Sequence, residues 1–192
     1  GICRQADIPL HLDGARFANA LVALETTPAE MTWKRGVDIV SFGGTKNGCW
    51  CAEAIVVLDP AKIGQMRFLR KRAAQLFSKS RFMAAQFEAY FKDELWLDTA
   101  RHANAVAADL AAVISATDGA RLAWEPQANE VFALLTADKA RVLQAAGAQF
   151  HPWKAPLSFI GEMKEDELLY RFVTSFATEH SEIERFSQAL NG

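Results

Sequence analysis

A short run at residues 37–42, VDIVSF, constrains the fold more than any other feature, because it is apolar and rich in β-branched side chains. Such runs are typical of strands buried inside a sheet. A turn follows, SFGGTKNG from Ser41 to Gly48, and then a second apolar run at residues 52–58. We therefore expect two strands joined by this turn, with its single lysine, Lys46, after the end of the first strand.

The glycines at positions 43, 44 and 48 make the surroundings of Lys46 unusual. Glycine adopts positive φ without strain and lets another molecule approach the backbone closely. A lysine that serves only solubility needs no such neighbours. We therefore expect Lys46 to contact a ligand, for which the glycines leave room.

Strands and helices alternate early in the chain, and the pattern then changes. Besides the two strands above, β-branched and apolar runs predict strands at residues 8–12, 131–136, 148–153 and 170–176. Helices are predicted at residues 2–5, 15–25, 61–91 (with a break near Ser78), 98–117, 137–146 and 181–190. The order indicates the α/β fold class, with the first two strands as neighbours in a parallel sheet, a large domain at residues 1–95 and a smaller α+β domain at residues 96–192.

Composition argues against several classes of protein. The chain has 192 residues and a net charge of −2, which does not favour nucleic acid as a partner. No apolar run approaches the roughly 20 residues of a membrane span. The three cysteines are odd in number and lack zinc-binding spacing, so we expect no metal site and free thiols in a reducing cytoplasm.

The polar residues most suited to chemistry follow or interrupt the predicted strands. The motif HLDGAR places Asp13 after the first strand, with Arg16 one helical turn later. Lys46 lies in the turn described above, and Arg171 lies within the last predicted strand. Ligands of open α/β sheets bind beyond the carboxyl ends of the strands. A carboxylate, an amine and a guanidinium group could therefore converge on one ligand.

These groups suit pyridoxal phosphate. The cofactor needs a lysine amine for its Schiff base and a carboxylate beside its pyridine nitrogen, which keeps the ring protonated as an electron sink. An arginine can bind a substrate carboxylate through two parallel hydrogen bonds. Simpler interpretations stay open at this point: Lys46 as a solvated charge, Asp13 as a turn residue or helix N-cap, and Arg171 as an edge-strand or salt-bridge residue.

Three motifs, LHLDGARFANA, VDIVSFGGTKNG and RFVTSFAT, resemble in order and spacing those of the low-specificity L-threonine aldolases. That family consists of pyridoxal-phosphate enzymes of fold type I, the aspartate-aminotransferase-like class. The resemblance covers essentially the whole chain but only the later part of the family's length. It implies that residues 1–95 are the carboxy-terminal part of the large cofactor-binding domain.

The resemblance also implies a role for each site residue. Lys46 matches the catalytic lysine that forms the Schiff base, and Asp13 matches the carboxylate paired with the pyridine nitrogen. Arg16 and Arg171 match the arginines that bind the substrate carboxylate. His11 lies two residues before Asp13, on the same side of its strand, and we expect it near the cofactor ring.

The implied reaction cleaves L-threonine, L-allo-threonine or another β-hydroxy-α-amino acid to glycine and an aldehyde. The alternatives are a phenylserine aldolase or a β-eliminating amino-acid lyase of the same cofactor class, or a catalytically silent fragment that acts as an association module. The family's phosphate-binding loop and ring-stacking histidine would precede Gly1. We therefore expect this chain to be the carboxy-terminal part of a longer polypeptide.

The basic segment at residues 62–92, which includes RKRAAQLFSKSRFMAAQ, departs from the family's usual pattern. Its apolar residues recur at helical spacing, which favours a solvated helix at a subunit interface over a nucleic-acid surface. Together with the free thiols, the net charge and the family resemblance, this favours a cytoplasmic homo-oligomer, a dimer or tetramer. We expect it to act on a small amino-acid substrate and to bind neither nucleic acid nor membranes.

Overall fold

The computed structural model describes residues 1–76 and 78–192, which form two compact units, Gly1–Ala100 and Arg101–Gly192. The predicted boundary between residues 95 and 96 lies at the start of a long helix that supplies residues to both units. The assignment of a cofactor-binding domain and a small domain stays a prediction. No helix in the described part of the chain is long and apolar enough to cross a membrane.

The first unit contains a three-stranded sheet. In spatial order its strands are β1 (His11–Gly14), β2 (Ile39–Gly43) and β3 (Glu53–Val57). β1 and β2 are parallel, with Asp13 opposite Ser41, whereas β2 and β3 are antiparallel. The helices of this unit are α1 (Ile2–Gln5), α2 (Phe17–Ala23), α3 (Pro28–Met31), α4 (Met66–Arg72) and α5 (Arg81–Phe91).

The predicted pairing of the first two strands is confirmed, but the sheet as a whole is mixed and not parallel. Between β1 and β2 the chain forms α2 and α3, which give a crossover long enough for a parallel return. Only nine residues, 44–52, separate β2 from β3. Because so short a connection allows only an antiparallel return, the lysine turn is the turn of a hairpin.

The helical segment predicted at residues 61–91, with a break near Ser78, consists of the two helices α4 and α5. A 3-10 turn at Pro60–Lys62 precedes them. α4 ends where Ala74 takes a left-handed φ of +56°, which a helix interior does not accommodate. The predicted break near Ser78 falls between the two helices, and residue 77 lies outside the described residues.

An aromatic cluster fixes the end of β2 in the first unit. The Phe42 ring centroid lies 6.2 Å from that of Trp96. α5 contributes three further rings, whose centroids lie between 5.7 and 6.5 Å from that of Phe42: Phe87, Tyr90 and Phe91. Aromatic pairs in these arrangements add to the stability gained by burial. The cluster therefore stabilises the end of the strand that leads into the lysine turn.

The second unit is an antiparallel sheet with helices packed on one face. In spatial order its strands are β4 (Ala120–Leu122), β5 (Glu130–Thr136), β7 (Glu167–Val173) and β6 (His151–Pro152). Its helices are α6 (Leu95–Ser115, from Arg101 onward), α7 (Ala137–Ala145) and α8 (His180–Asn191). The core between helices and sheet includes Ile114, Val131, Leu143 and Phe172.

Two predicted strands of this unit are corrected. The strand predicted at residues 148–153 shortens to the two residues of β6, His151 and Pro152. The strand predicted at residues 170–176 spans Glu167–Val173 instead, because its pairing with β5 runs from Glu167 opposite Thr136 to Val173 opposite Glu130. β4 and α3 were not predicted, and the remaining elements are confirmed with ends shifted by three residues or fewer.

Candidate active site

The lysine turn is a short 3-10 helix, Thr45–Asn47, between β2 and β3. Gly44 precedes it, and Gly48 ends it with a φ of +121°. The backbone N–H of Asn47 donates to the Gly44 carbonyl at 3.1 Å. Lys46 is exposed, and its ammonium group has no hydrogen-bond or ion-pair partner among the residues that the structure describes. The turn therefore presents a free amine on a defined backbone.

Two of the three glycines have a different role from the one predicted. Gly48 adopts positive φ, but Gly43 and Gly44 do not. A Cβ atom on Gly43 would lie 2.9 Å from the Glu53 carboxylate and 3.0 Å from the Ala15 backbone. A Cβ atom on Gly44 would lie 2.9 Å from a backbone carbonyl oxygen. These two glycines let the hairpin pack closely on its own chain.

Asp13 and His11 lie on the same face of β1, and both are exposed. Asp13 Oδ1 accepts a hydrogen bond from the Ala15 backbone N–H at 3.0 Å, so one carboxylate oxygen stabilises a turn. Its other oxygen has no hydrogen-bond partner in the described part of the chain. His11 Nε2 lies 2.8 Å from Ser41 Oγ, and Ser41 is opposite Asp13 on β2. The structure thus brings a carboxylate and an imidazole to the parallel part of the sheet.

Arg16 is half-buried and occupies the N-cap position of α2. Its φ of −129° and ψ of 40° are not helical, so the predicted spacing of one helical turn from Asp13 is wrong. Because Arg16 is the cap residue, Asp13 is not the N-cap of this helix. Arg16 still lies just beyond β1, and the carboxyl ends of β1 and β2 point to the same edge of the sheet.

Arg171 lies in β7, which has strands on both sides, so the edge-strand interpretation is wrong. Its Nη1 donates to a Glu130 carboxylate oxygen at 3.4 Å, as the salt-bridge interpretation expects. Its guanidinium carbon lies 4.2 Å from the ring centroid of Trp153. A ring stacked on one face fixes the guanidinium plane and leaves N–H groups at its edge for a planar anion.

Sequence reasoning missed two residues that support these groups. Trp153 follows a strand of only two residues, whose sequence signal is weak. Asn47, only 2% exposed, donates from Nδ2 to the Tyr90 hydroxyl oxygen at 2.6 Å and to the Trp96 carbonyl oxygen at 2.8 Å. The side chain of an asparagine in a turn usually forms a hydrogen bond with the nearby backbone, so the local sequence does not reveal these distant partners.

Burial changes the chemistry of two groups beside the turn. It raises the pKa of Tyr90 to about 12, so this hydroxyl stays protonated at neutral pH. Burial also raises the pKa of the Cys49 thiol, with the charges of Glu53 and Cys51 adding to the effect. A buried thiol in that state is a poor nucleophile.

The chemical groups at this edge of the sheet are of the types that bind pyridoxal phosphate. A lysine amine follows β2, and a carboxylate oxygen of Asp13 lies on the adjacent strand β1; neither has a partner among the described residues. These are the two groups that the cofactor needs for its carbonyl carbon and its pyridine nitrogen. Among the described residues, no group of three or more His, Cys, Asp or Glu side chains is placed to bind a metal ion.

The mixed α/β fold has known counterparts. The sequence profile of the family described as Beta-eliminating lyase matches residues 1–155, and the chain belongs to this family. It is 40% identical over 160 residues to the low specificity L-threonine aldolase of Pseudomonas aeruginosa, which covers 83% of this chain and 44% of that protein. It is 36% identical over 181 residues to the enzyme of the same name from a Pseudomonas species, with 94% and 49% covered.

Solved structures agree with these matches. The threonine aldolase of Leishmania major has a TM-score of 0.84 and 31% identity, over 98% of this chain and 52% of that one. A putative L-allo-threonine aldolase of Listeria monocytogenes has a TM-score of 0.70 at 17% identity, over 98% and 53%, and shows the fold alone. The chain spans about half the length of the curated relatives it matches. The resemblance read from the three motifs and the α/β fold class are confirmed.

Proposed function

We propose that the full-length protein is a pyridoxal-phosphate-dependent aldolase that cleaves L-threonine and L-allo-threonine to glycine and acetaldehyde. One observation carries the proposal: Lys46, with no partner among the described residues, extends from a fixed hairpin turn at the same sheet edge as Asp13. The names of the two Pseudomonas relatives support the choice of substrate.

Lys46 and Asp13 would hold the cofactor, Lys46 by its amine and Asp13 by the carboxylate oxygen that the turn does not use. When bound, pyridoxal phosphate supplies the sink for the electrons released as the Cα–Cβ bond of the substrate breaks. The Asp13 carboxylate would favour a proton on the pyridine nitrogen, because a nearby opposite charge stabilises the protonated form. His11, with its imidazole 2.8 Å from Ser41, is on the same face and would contact the ring.

Arg16 and Arg171 bind the substrate carboxylate in this proposal. The Arg171 guanidinium plane is already fixed by Trp153, and a two-point arginine–carboxylate pair fixes orientation as well as affinity. Orientation matters because a displacement of about 1 Å can cost on the order of 100-fold in rate. The arginines therefore hold the substrate so that the bond to be broken keeps its alignment.

The description of the matching family favours one alternative, a β-eliminating amino-acid lyase. The two reactions release different products from a β-hydroxy-α-amino acid. An aldolase gives glycine and an aldehyde, whereas a β-eliminating lyase gives a 2-oxo acid and ammonia. Product analysis with L-threonine, L-allo-threonine and phenylserine therefore separates the proposed aldolase from this lyase and from a phenylserine aldolase.

We also propose that the protein is a cytoplasmic homo-oligomer, a dimer or tetramer. Its three cysteines are all free, which suits a reducing compartment. Large apolar side chains are exposed on β3, on α4 and on α5, including Ile55, Val56, Phe68 and Phe82. A second copy of the protein would cover surface of this kind.

Borohydride reduction of the full-length protein loaded with pyridoxal phosphate tests the central assignment. We expect a pyridoxyl label on Lys46, located by peptide mass spectrometry, and no label after Lys46→Arg. Lys71→Arg, a change in the exposed basic helix α4, is the matched control and keeps the label. Label on another lysine of the wild-type protein would refute the assignment.

A further inference from the structure

The hairpin turn that carries Lys46 is tied to a distant part of the first unit by the side chain that follows it. Asn47 uses both hydrogens of its amide, one for the Tyr90 hydroxyl oxygen and one for the Trp96 carbonyl oxygen, at 2.6 and 2.8 Å. These partners lie 43 and 49 residues further along the chain. The turn is therefore fixed to the end of α5 and the start of α6.

This link adds to the rigidity of the turn. Glycines flank the 3-10 helix on both sides, and glycine allows the largest range of backbone conformations. Because the Asn47 side chain is held by two hydrogen bonds, the backbone of the neighbouring Lys46 is restrained as well. Asn47 therefore helps to set the position from which the Lys46 side chain extends. On the other side, the Thr45 backbone N–H donates to Glu53 at 3.2 Å, which fixes the turn from β3.

The position of Tyr90 indicates that the link is more than a packing contact. Tyr90 is 3% exposed, and its ring belongs to an otherwise hydroxyl-free group of aromatic side chains: Phe42, Phe87, Phe91 and Trp96. A phenylalanine would fill the same space, and a buried hydroxyl is costly unless it is hydrogen-bonded. The Trp96 carbonyl also accepts from the Thr99 hydroxyl at 3.2 Å, so it does not depend on Asn47 alone.

We propose that Asn47 is a positioning residue for Lys46, with Tyr90 as the buried acceptor that holds it. This inference rests on the proposed function, in which the Lys46 amine bonds the cofactor. Asn47 and Tyr90 take no part in the chemistry; they set the direction from which the amine approaches the cofactor carbonyl. Orientation of this kind is worth one or more orders of magnitude in rate.

Tyr90→Phe and Asn47→Ala in the full-length protein test the proposal. Tyr90→Phe removes one oxygen and keeps the aromatic packing. Tyr170→Phe is the matched control, because Tyr170 is also buried but lies in the second unit. Three quantities are compared: the rate at which added pyridoxal phosphate bonds Lys46 in the apoprotein, the pH midpoint of the resulting absorption band, and Tm.

We expect both variants to bond the cofactor about 10- to 100-fold more slowly, with a displaced pH midpoint, while Tyr170→Phe keeps the wild-type rate and midpoint. A purely structural role would lower Tm and leave the pH midpoint unchanged in Tyr90→Phe, and that result would overturn the proposal. If Asn47→Ala does not fold, Tyr90→Phe alone decides. Failure of the proposed function is seen separately, as absence of the label on Lys46 in the wild-type protein.

Discussion

Asp13 shows how one side chain can serve the fold and the proposed chemistry together. One of its carboxylate oxygens accepts the Ala15 N–H at 3.0 Å, and the other is left without a protein partner among the described residues. Asp59 forms the same turn with Ala61 at 3.1 Å, in a place with no lysine hairpin beside it. Substitution of Asp13 and, for comparison, of Asp59 therefore separates the turn role from the proposed cofactor role.

Asp13→Asn should leave the cofactor bound but lower kcat severely. Asparagine keeps an oxygen for the turn, whereas it loses the negative charge that favours a proton on the pyridine nitrogen, so the ring becomes a poor electron sink. Asp59→Asn is the matched control and should retain wild-type kcat. Steady-state kinetics and cofactor content measure both variants, and a near-normal kcat in Asp13→Asn would mean that Asp13 is only a turn residue.

Arg171→Ala should weaken binding of threonine and glycine by about 2–4 kcal/mol, because the substrate carboxylate then lacks one of its charged partners. The affinity for pyridoxal phosphate should hardly change. Arg121→Ala is a suitable comparison, since Arg121 also lies in the second-unit sheet but pairs with Glu167. Glycine titrations monitored by cofactor absorbance give the affinities, and equal losses in the two variants would contradict a specific role for Arg171.

Sequence reasoning found the residues whose signal is local. Lys46 and Asp13 stand out because each comes within a few residues of the end of an apolar run. Asn47 and Trp153 do not, because their contributions depend on partners that are brought close only by folding: Tyr90 and Trp96 for the first, Arg171 for the second. No pattern along the chain reports such contacts.

At the level of secondary structure, the direction of β3 could have been predicted from the sequence. The nine residues between β2 and β3 are too few for a parallel crossover, so the spacing alone excludes a wholly parallel sheet. The break after α4 was harder to place, because Ala74 is a strong helix former that here takes a left-handed φ. Intrinsic preference was overridden at that residue by the rest of the fold.

The ion pair between Arg121 of β4 and Glu167 of β7 makes the second unit sensitive to acid. Two charge-assisted hydrogen bonds from Arg121, at 3.0 and 2.8 Å, and the Lys164 backbone N–H lower the pKa of Glu167 from 4.5 to about 2. Because the folded-state pKa is lowered, the interaction stabilises the fold fully above pH 4.5. That stabilisation is lost as the pH falls from 4.5 towards 2.

Glu167→Gln should therefore lower the free energy of unfolding by about 2 kcal/mol at pH 7. The difference from wild type should shrink below pH 4.5 and vanish near pH 2. Urea unfolding followed by circular dichroism at a series of pH values measures it. Glu165→Gln, at an exposed position two residues earlier, should have little effect at any pH, and a Glu167→Gln difference that is independent of pH would show that packing and not charge is responsible.

For the whole molecule, the change of pattern along the chain predicted two parts of different architecture. The first unit combines parallel and antiparallel strands, and the second is antiparallel throughout. Each has a core of its own, around Phe17 and Val40 in one and around Val131 and Phe172 in the other. Periodicity and element order are properties of long segments, which single contacts hardly disturb, so a sequence can indicate a change of architecture along the chain.

The β2–β3 hairpin also limits how this region can evolve. Five residue pairs join its strands, from Ile39 with Val57 to Gly43 with Glu53, and the lysine turn is the segment that sets this register. Insertion or deletion of one residue between 44 and 52 would displace the pairing by one position and turn inward-facing side chains outward. Relatives that keep the hairpin should differ here by replacement at constant length, so an alignment of the family should run through these nine positions without a gap.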